Sequence, residues 1–272
     1  MEWWPIILAL LVVGALAGLL AGLLGIGGGI VIVPAVYLIL QSLGASLSTA
    51  MLVAIGTSLM TIIPTSISSS RAHYFQGNVD LALLKRWVLP MLVGVLMGSY
   101  LATKIGGVAL TAVFGIFAIL IALNILLRSS SATPLASIPN RVGQSLVSAT
   151  IGFFSVIMGI GGGALGVPAM TSFGLSAHRA IGTAAVFGLI ISLPGALILL
   201  ANAGTPADAP LGTVGLVNIP AVILLISMST LFAPIGVKLG ARLDGSVLKK
   251  LFALFLVLAG SRMIWQTFTP VG

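Results

Sequence analysis

The sequence predicts an all-α polytopic membrane protein of about ten hydrophobic segments, arranged as two inverted five-segment repeats with a short helix after each of two Gly-Ile-Gly-Gly-Gly motifs. Three observations predict it. Of the 272 residues, 59% are hydrophobic and 6% charged, whereas a water-soluble chain carries about a quarter charged residues. Apolar stretches of about 20 residues, each long enough to cross a hydrocarbon core of roughly 30 Å as a helix, fill most of the chain. Finally, Gly25-Ile26-Gly27-Gly28-Gly29 with Pro34 recurs as Gly159-Ile160-Gly161-Gly162-Gly163 with Pro168, at a constant offset of 134 positions.

Breaks at polar or Gly/Pro clusters place the segments at 4–24, 30–41, 47–70, 87–103, 107–127, 142–158, 164–175, 180–202, 214–236 and 246–268. The first opens Met1-Glu2-Trp3-Trp4-Pro5, without the basic stretch a secretory leader needs, so it is expected to be a retained helix. The second and seventh, of about a dozen residues, cover only about 18 Å as helices and cannot span unaided. Each follows a glycine cluster. The third carries Ala54-Ile55-Gly56-Thr57, which returns in the eighth as Ala180-Ile181-Gly182-Thr183, and Gly98 with Leu101 returns as Gly236 with Leu239. The repeats are therefore residues 1–127 and 141–272, joined by a Ser/Pro-rich linker, 128–140.

Charge sets the orientation. Twelve Lys and Arg oppose four Asp and Glu, a formal charge of +8. In a soluble protein that balance would suggest nucleic acid; in a membrane protein it marks cytoplasmic loops. If segments one-two and six-seven form re-entrant hairpins or all ten alternate, one face carries Arg71, Lys85, Arg86, Arg128, Arg141, Arg179, Lys238, Arg242, Lys249 and Lys250. The other carries Lys104 and, nearby, Arg262. Both termini are then expected outside a bacterial cell (inner) membrane. Five segments per half, an odd number, makes the repeats inverted, an arrangement in which paired helix breaks build a solute site near the midplane of secondary transporters.

The candidate site follows from those breaks. Gly27, Gly28 and Gly29, and Gly161, Gly162 and Gly163, let the backbone turn sharply just before a helix begins. The first N–H groups of a helix have no partner within it and carry partial positive charge, so two such ends pointing inward would hold an anion. Close packing is the competing role of such glycines. Thr57, Ser58 and Thr183 would donate hydrogen bonds to solute oxygens, unless they bond their own helix carbonyls. Thr61, Thr65, Ser66 and Ser68-Ser69-Ser70 extend that polar face. Arg71 and His73, with His178 and Arg179, sit at inner segment ends, as topology anchors or as attractors of an anion. Lys238 and Arg242 share a helical face with Asp244 in reach of Arg242, and Trp3, Trp4, Trp87 and Trp265 are expected as interfacial belt residues.

Absences narrow the chemistry. The four carboxylates, Glu2, Asp80, Asp208 and Asp244, fall at or beyond segment ends, which argues against a proton relay or a cation cage. Proton coupling would have to use His73, His178 or the solute. There is no cysteine, hence no disulfide or thiolate chemistry, and no metal or cofactor site is predicted. No Gly-x-Ser-x-Gly or paired carboxylate suggests an enzyme. The expected partners are a small anionic solute and the bilayer, not nucleic acid, with a homodimer left open.

The stretches Gly22-Leu-Leu-Gly25-Ile-Gly-Gly-Gly29-Ile-Val-Ile-Val-Pro34, Ala54-Ile-Gly-Thr-Ser58, His73-Tyr-Phe-Gln-Gly-Asn-Val-Asp80 and Gly159-Ile-Gly-Gly-Gly-Ala-Leu-Gly-Val-Pro168 resemble the sulfite exporter TauE/SafE family of membrane permeases, over essentially the whole chain. The resemblance implies export or permeation of sulfite, sulfonates such as sulfoacetate, or related sulfur oxyanions and organic anions, while the inverted repeats suggest alternating access, with an anion channel as the alternative reading of the symmetric glycine ends. The second half departs from the first in having Ala184 where Ser58 stands and no counterpart of the 73–80 stretch.

Overall fold

The computed structural model describes residues 3–127, 140–201, 204–240 and 246–269. The linker 128–139 with Arg128, the expected Arg242–Asp244 pair, and Glu2 lie outside them. Among the described residues there are ten helices: α1 Trp4–Leu24, α2 Gly29–Ser42, α3 Leu47–Phe75, α4 Leu81–Ala102, α5 Gly107–Leu127, α6 Arg141–Ile157, α7 Gly163–Ser172, α8 Ala177–Ala201, α9 Ile219–Gly240 and α10 Ser246–Phe268. The described residues are all-α apart from one small hairpin, Thr213–Val214 paired with Val217–Asn218.

Seven helices are long and apolar enough to cross a membrane: α1, α3, α4, α5, α8, α9 and, from Lys250, α10. As expected, α2 and α7 are short, about 21 and 15 Å at 1.5 Å per residue. α6, with 17 residues, is also under full span length. Two helix starts move by five residues or more. α4 starts at Leu81 rather than 87, because Asp80 caps it by accepting the Leu83 N–H at 3.0 Å. α9 starts at Ile219 rather than 214, because 213–218 is spent on the hairpin.

The helices pair mainly across the two halves: α1 with α9, α4 with α6, α5 with α10, and α3 with α8. Glycines permit the close approaches. A Cβ on Gly14, Gly18 or Gly22 would strike the carbonyls of Leu225, Ser229 or Ala233, and one on Gly94 or Gly152 those of Ala149 or Met91. The α1–α9 contacts climb together in number, and so do Gly94 with Ala149 and Gly98 with Phe153, so α1 runs parallel to α9 and α4 parallel to α6. Exchanging each helix for the one five places along turns the α1–α9 pair into α6–α4 and returns α3–α8 and α5–α10 to themselves.

Polar contacts sort the helix ends onto two faces. On one, Arg179 Nη2 meets Asp80 Oδ2 at 3.1 Å, and Arg86 and Arg141 line a common cavity. On the other, Ser46 and Thr49 at the start of α3 bond Asp208, and the Gly107 N–H opening α5 donates to Ser48 Oγ at 2.9 Å. Trp3, Trp4 and Trp265 are exposed, as belt residues should be, but Trp87 is not one. It is 1% exposed and stacks on Phe187 with centroids 5.7 Å apart, because α4 begins a turn and a half earlier than expected and carries that position into the packed interior.

Candidate functional site

The two glycine motifs meet each other at the centre of the packed interior. A Cβ on Gly27 would lie 3.1 Å from Gly161 Cα, one on Gly161 3.0 Å from Gly27 Cα, and one on Gly29 2.9 Å from Ile160 Cα. Gly25, Gly27, Gly28 and Gly159 take positive φ, between 66° and 76°, so the turn into each short helix needs glycine for conformation as well as for space. All six predicted glycines are buried. Among the described residues no acceptor meets the N–H groups of Gly27, Gly28 and Gly29, or of Gly161, Gly162 and Gly163. Buried backbone donors are seldom left unpaired. The starts of two adjoining helices thus carry unpaired donors, a feature an anion can satisfy. Ile62 on α3 and Phe187 and Ile191 on α8 lie against the glycines.

The Ala-Ile-Gly-Thr motif has a role that the sequence did not disclose. A Cβ on Gly56 would strike the Leu216 carbonyl, and one on Gly182 the Asn78 carbonyl. One residue on, Thr57 Oγ1 accepts the Asn218 N–H at 2.9 Å and Thr183 Oγ1 accepts the Asp80 N–H at 2.9 Å. Asn218 and Asp80 in turn cap α9 and α4, accepting the N–H groups of Ala221 at 3.1 Å and Leu83 at 3.0 Å. Each motif is thus a seat: glycine admits the carbonyl two residues ahead of the cap, and threonine receives the cap's own amide. Its isoleucine completes the contact, since Ile55 Cα lies against Gly159 and Ile181 against Gly25.

The other predicted residues distribute as follows. Ser58, fully buried, donates to the Gly159 carbonyl at 2.7 Å, so in this arrangement its proton holds the second glycine turn. Ala184 leaves the first turn without that bond. Thr61 and Thr65 donate to carbonyls one turn back, at 2.9 Å each, and Thr65 also meets Ser229 Oγ at 2.7 Å. His73 is 5% exposed, with Nε2 3.0 Å from the Gly22 carbonyl, binding the end of α3 to the end of α1. Arg71 is exposed, its guanidinium 5.6 Å from the Phe75 ring centre. Both lie about 20 Å along α3 from Ser58, at 1.5 Å per residue, and are not brought to the glycine centre.

Ser66 and Ser192 stand apart from these hydroxyls. Both are buried, at 1% and 0% exposure, and neither Oγ has a partner. Ser66 rests against Gly188 on α8, and Ser192 lies one turn further along that helix. Their separation of 126 positions is the one that relates Thr57 to Thr183, so extending the second motif by nine residues in each half would have paired them from sequence. The repeat weakens beyond the motif, which hides Ser192 in the sequence.

Residues 10–263 match the family model described as sulfite exporter TauE/SafE. A probable membrane transporter protein of Haemophilus influenzae is 32% identical over 264 residues, covering 94% of this chain and 97% of its own. The probable membrane transporter protein YunE of Bacillus subtilis is 25% identical, covering 94% and 97%. A probable membrane transporter protein of Xylella fastidiosa is 28% identical, covering 95% of each. No solved structure matches the chain.

Proposed function

The chain is a membrane transporter of the sulfite exporter TauE/SafE family, and from that premise we propose that it exports small anions, sulfite or a sulfonate such as sulfoacetate, across a bacterial inner membrane by alternating access. The observation that carries the reading is the pair of facing glycine turns with unpaired, buried amides. An oxyanion offers several acceptor oxygens to such donors.

Residues 1–127 and 141–272 act as inverted halves that rock about the glycine contact. The exchange of helix pairs under a five-helix shift and the sorting of helix ends onto two faces support this. The face holding Arg71, Lys85, Arg86, Arg141 and Arg179 is cytoplasmic by its positive charge, and both termini are outside. Ile62, Phe187 and Ile191 close the centre in the conformation described, so an anion reaches the amides only when one half moves.

Proteoliposomes loaded with radiolabelled sulfite or sulfoacetate test the proposal. Saturable efflux, lost on replacing Gly27 or Gly161, is expected. No flux of any sulfur or carboxylate anion overturns it, and conductance above about 10⁶ ions per second, too fast for a μs–ms cycle, identifies a channel.

A further inference from the structure

A cavity with two arginines at its rim lies away from the glycine centre, between α4 and α6. Arg86 of α4 and Arg141 of α6 line, with Gln144 and Ser145, a cavity of about 340 Å³. Two guanidiniums from different helices face one space. Asp80 is engaged with Arg179, Asp208 lies on the opposite face, and residues 128–140 contain no acidic side chain. Among the described residues neither arginine has a carboxylate partner.

The floor of the cavity is built. Gln144 is 7% exposed and its Oε1 accepts from Trp87 Nε1 at 3.4 Å, while Ser148 one turn deeper donates to the Trp87 carbonyl at 2.6 Å. Trp87 is itself held by its stack on Phe187. The walls are therefore fixed by interior packing, and the arginines hang at the rim.

What adjoins the cavity decides what fills it. From Arg86, at spacings of three, seven and ten residues on one face of α4, come Leu89 (72% exposed), Val93 (50%) and Leu96 (52%), and α6 presents Val142 (66%) and Leu146 (64%). A charged mouth thus runs directly into an outward-facing apolar stripe in the hydrocarbon zone. A soluble anion would use only the mouth. The geometry points to an anionic phospholipid, its phosphate held by the Arg86 and Arg141 forks and its acyl chains lying along α4 and α6. Arginine forks match phosphate oxygens two at a time, and basic pockets between membrane helices take up lipid headgroups.

Native mass spectrometry of the full chain, exchanged from phosphatidylglycerol or phosphatidylcholine micelles, reads the site. The wild type is expected to retain phosphatidylglycerol in preference to phosphatidylcholine. R86Q/R141Q should lose about 25-fold in that preference, about fivefold for each charge. R86K/R141K, which keeps the charge but not the fork, should lose less than R86Q/R141Q, and an unchanged size-exclusion profile for both variants shows that they fold. Glycerol 3-phosphate and inorganic phosphate are expected to compete only weakly. Equal retention by wild type and R86Q/R141Q, equal retention of the two lipids, or displacement of the lipid by inorganic phosphate at matched concentration overturns the proposal.

Discussion

Thr57 Oγ1 accepts the backbone N–H of Asn218, 161 residues away in the other half of the chain, at 2.9 Å. Thr183 does the same for Asp80. Each half therefore holds the first turn of a long helix belonging to the other. Hydroxyls expected to face a solute spend their acceptor capacity on structure.

Thr57→Val and Thr183→Val keep the shape and remove the acceptor, stranding a buried amide. Each should cost about 1–3 kcal/mol of stability, read as a lower melting temperature in detergent, while Thr57→Ser restores most of it. If T57V lost transport with melting unchanged, direct solute contact would be the better account.

Gly27 and Gly44 both have positive φ, 73° and 92°, but only Gly27 touches its opposite motif. Gly44→Ala should cost about 1–2 kcal/mol for the left-handed backbone alone and leave transport intact. Gly27→Ala must also push back Gly161, and transport is expected to fail. The paired melting and flux measurements check both arms.

A buried hydroxyl with no partner gives nothing to stability when kept. Ser66→Ala and Ser192→Ala should melt at or slightly above the wild-type temperature, because a desolvated polar group has been removed. If these hydroxyls meet the anion when the halves move, the variants raise the KM for efflux severalfold. An unchanged KM would assign them to packing.

Asp208 is exposed, yet hydrogen bonds from Thr49 Oγ1 at 2.6 Å and the Ser46 N–H at 2.8 Å lower its pKa from 3.8 to about 2. Because the folded carboxyl is the more acidic, its stabilisation is fully present above pH 3.8 and fades as pH falls toward 2. The melting temperature of the wild type should fall across that window more than that of Asp208→Asn, which is lower at neutral pH. Parallel curves for the two would show the bonds to be inconsequential.

What the sequence determined by itself is whatever depends on local composition and spacing. Apolar length made the membrane helices legible and glycine runs marked the turns before α2 and α7, since these act through bilayer thickness and backbone freedom that neighbours scarcely alter. Tertiary structure alone decided which hydroxyl meets which amide. Thr57, Ser58 and Thr183 read alike in sequence, but one proton goes to Gly159 and two acceptors go to Asn218 and Asp80, because side-chain partners in a dry interior are set by the crossing of distant helices. The same crossing buried Trp87, placed Ser66 and Ser192 without partners, and brought Arg86 and Arg141, 55 positions apart, to the rim of one cavity.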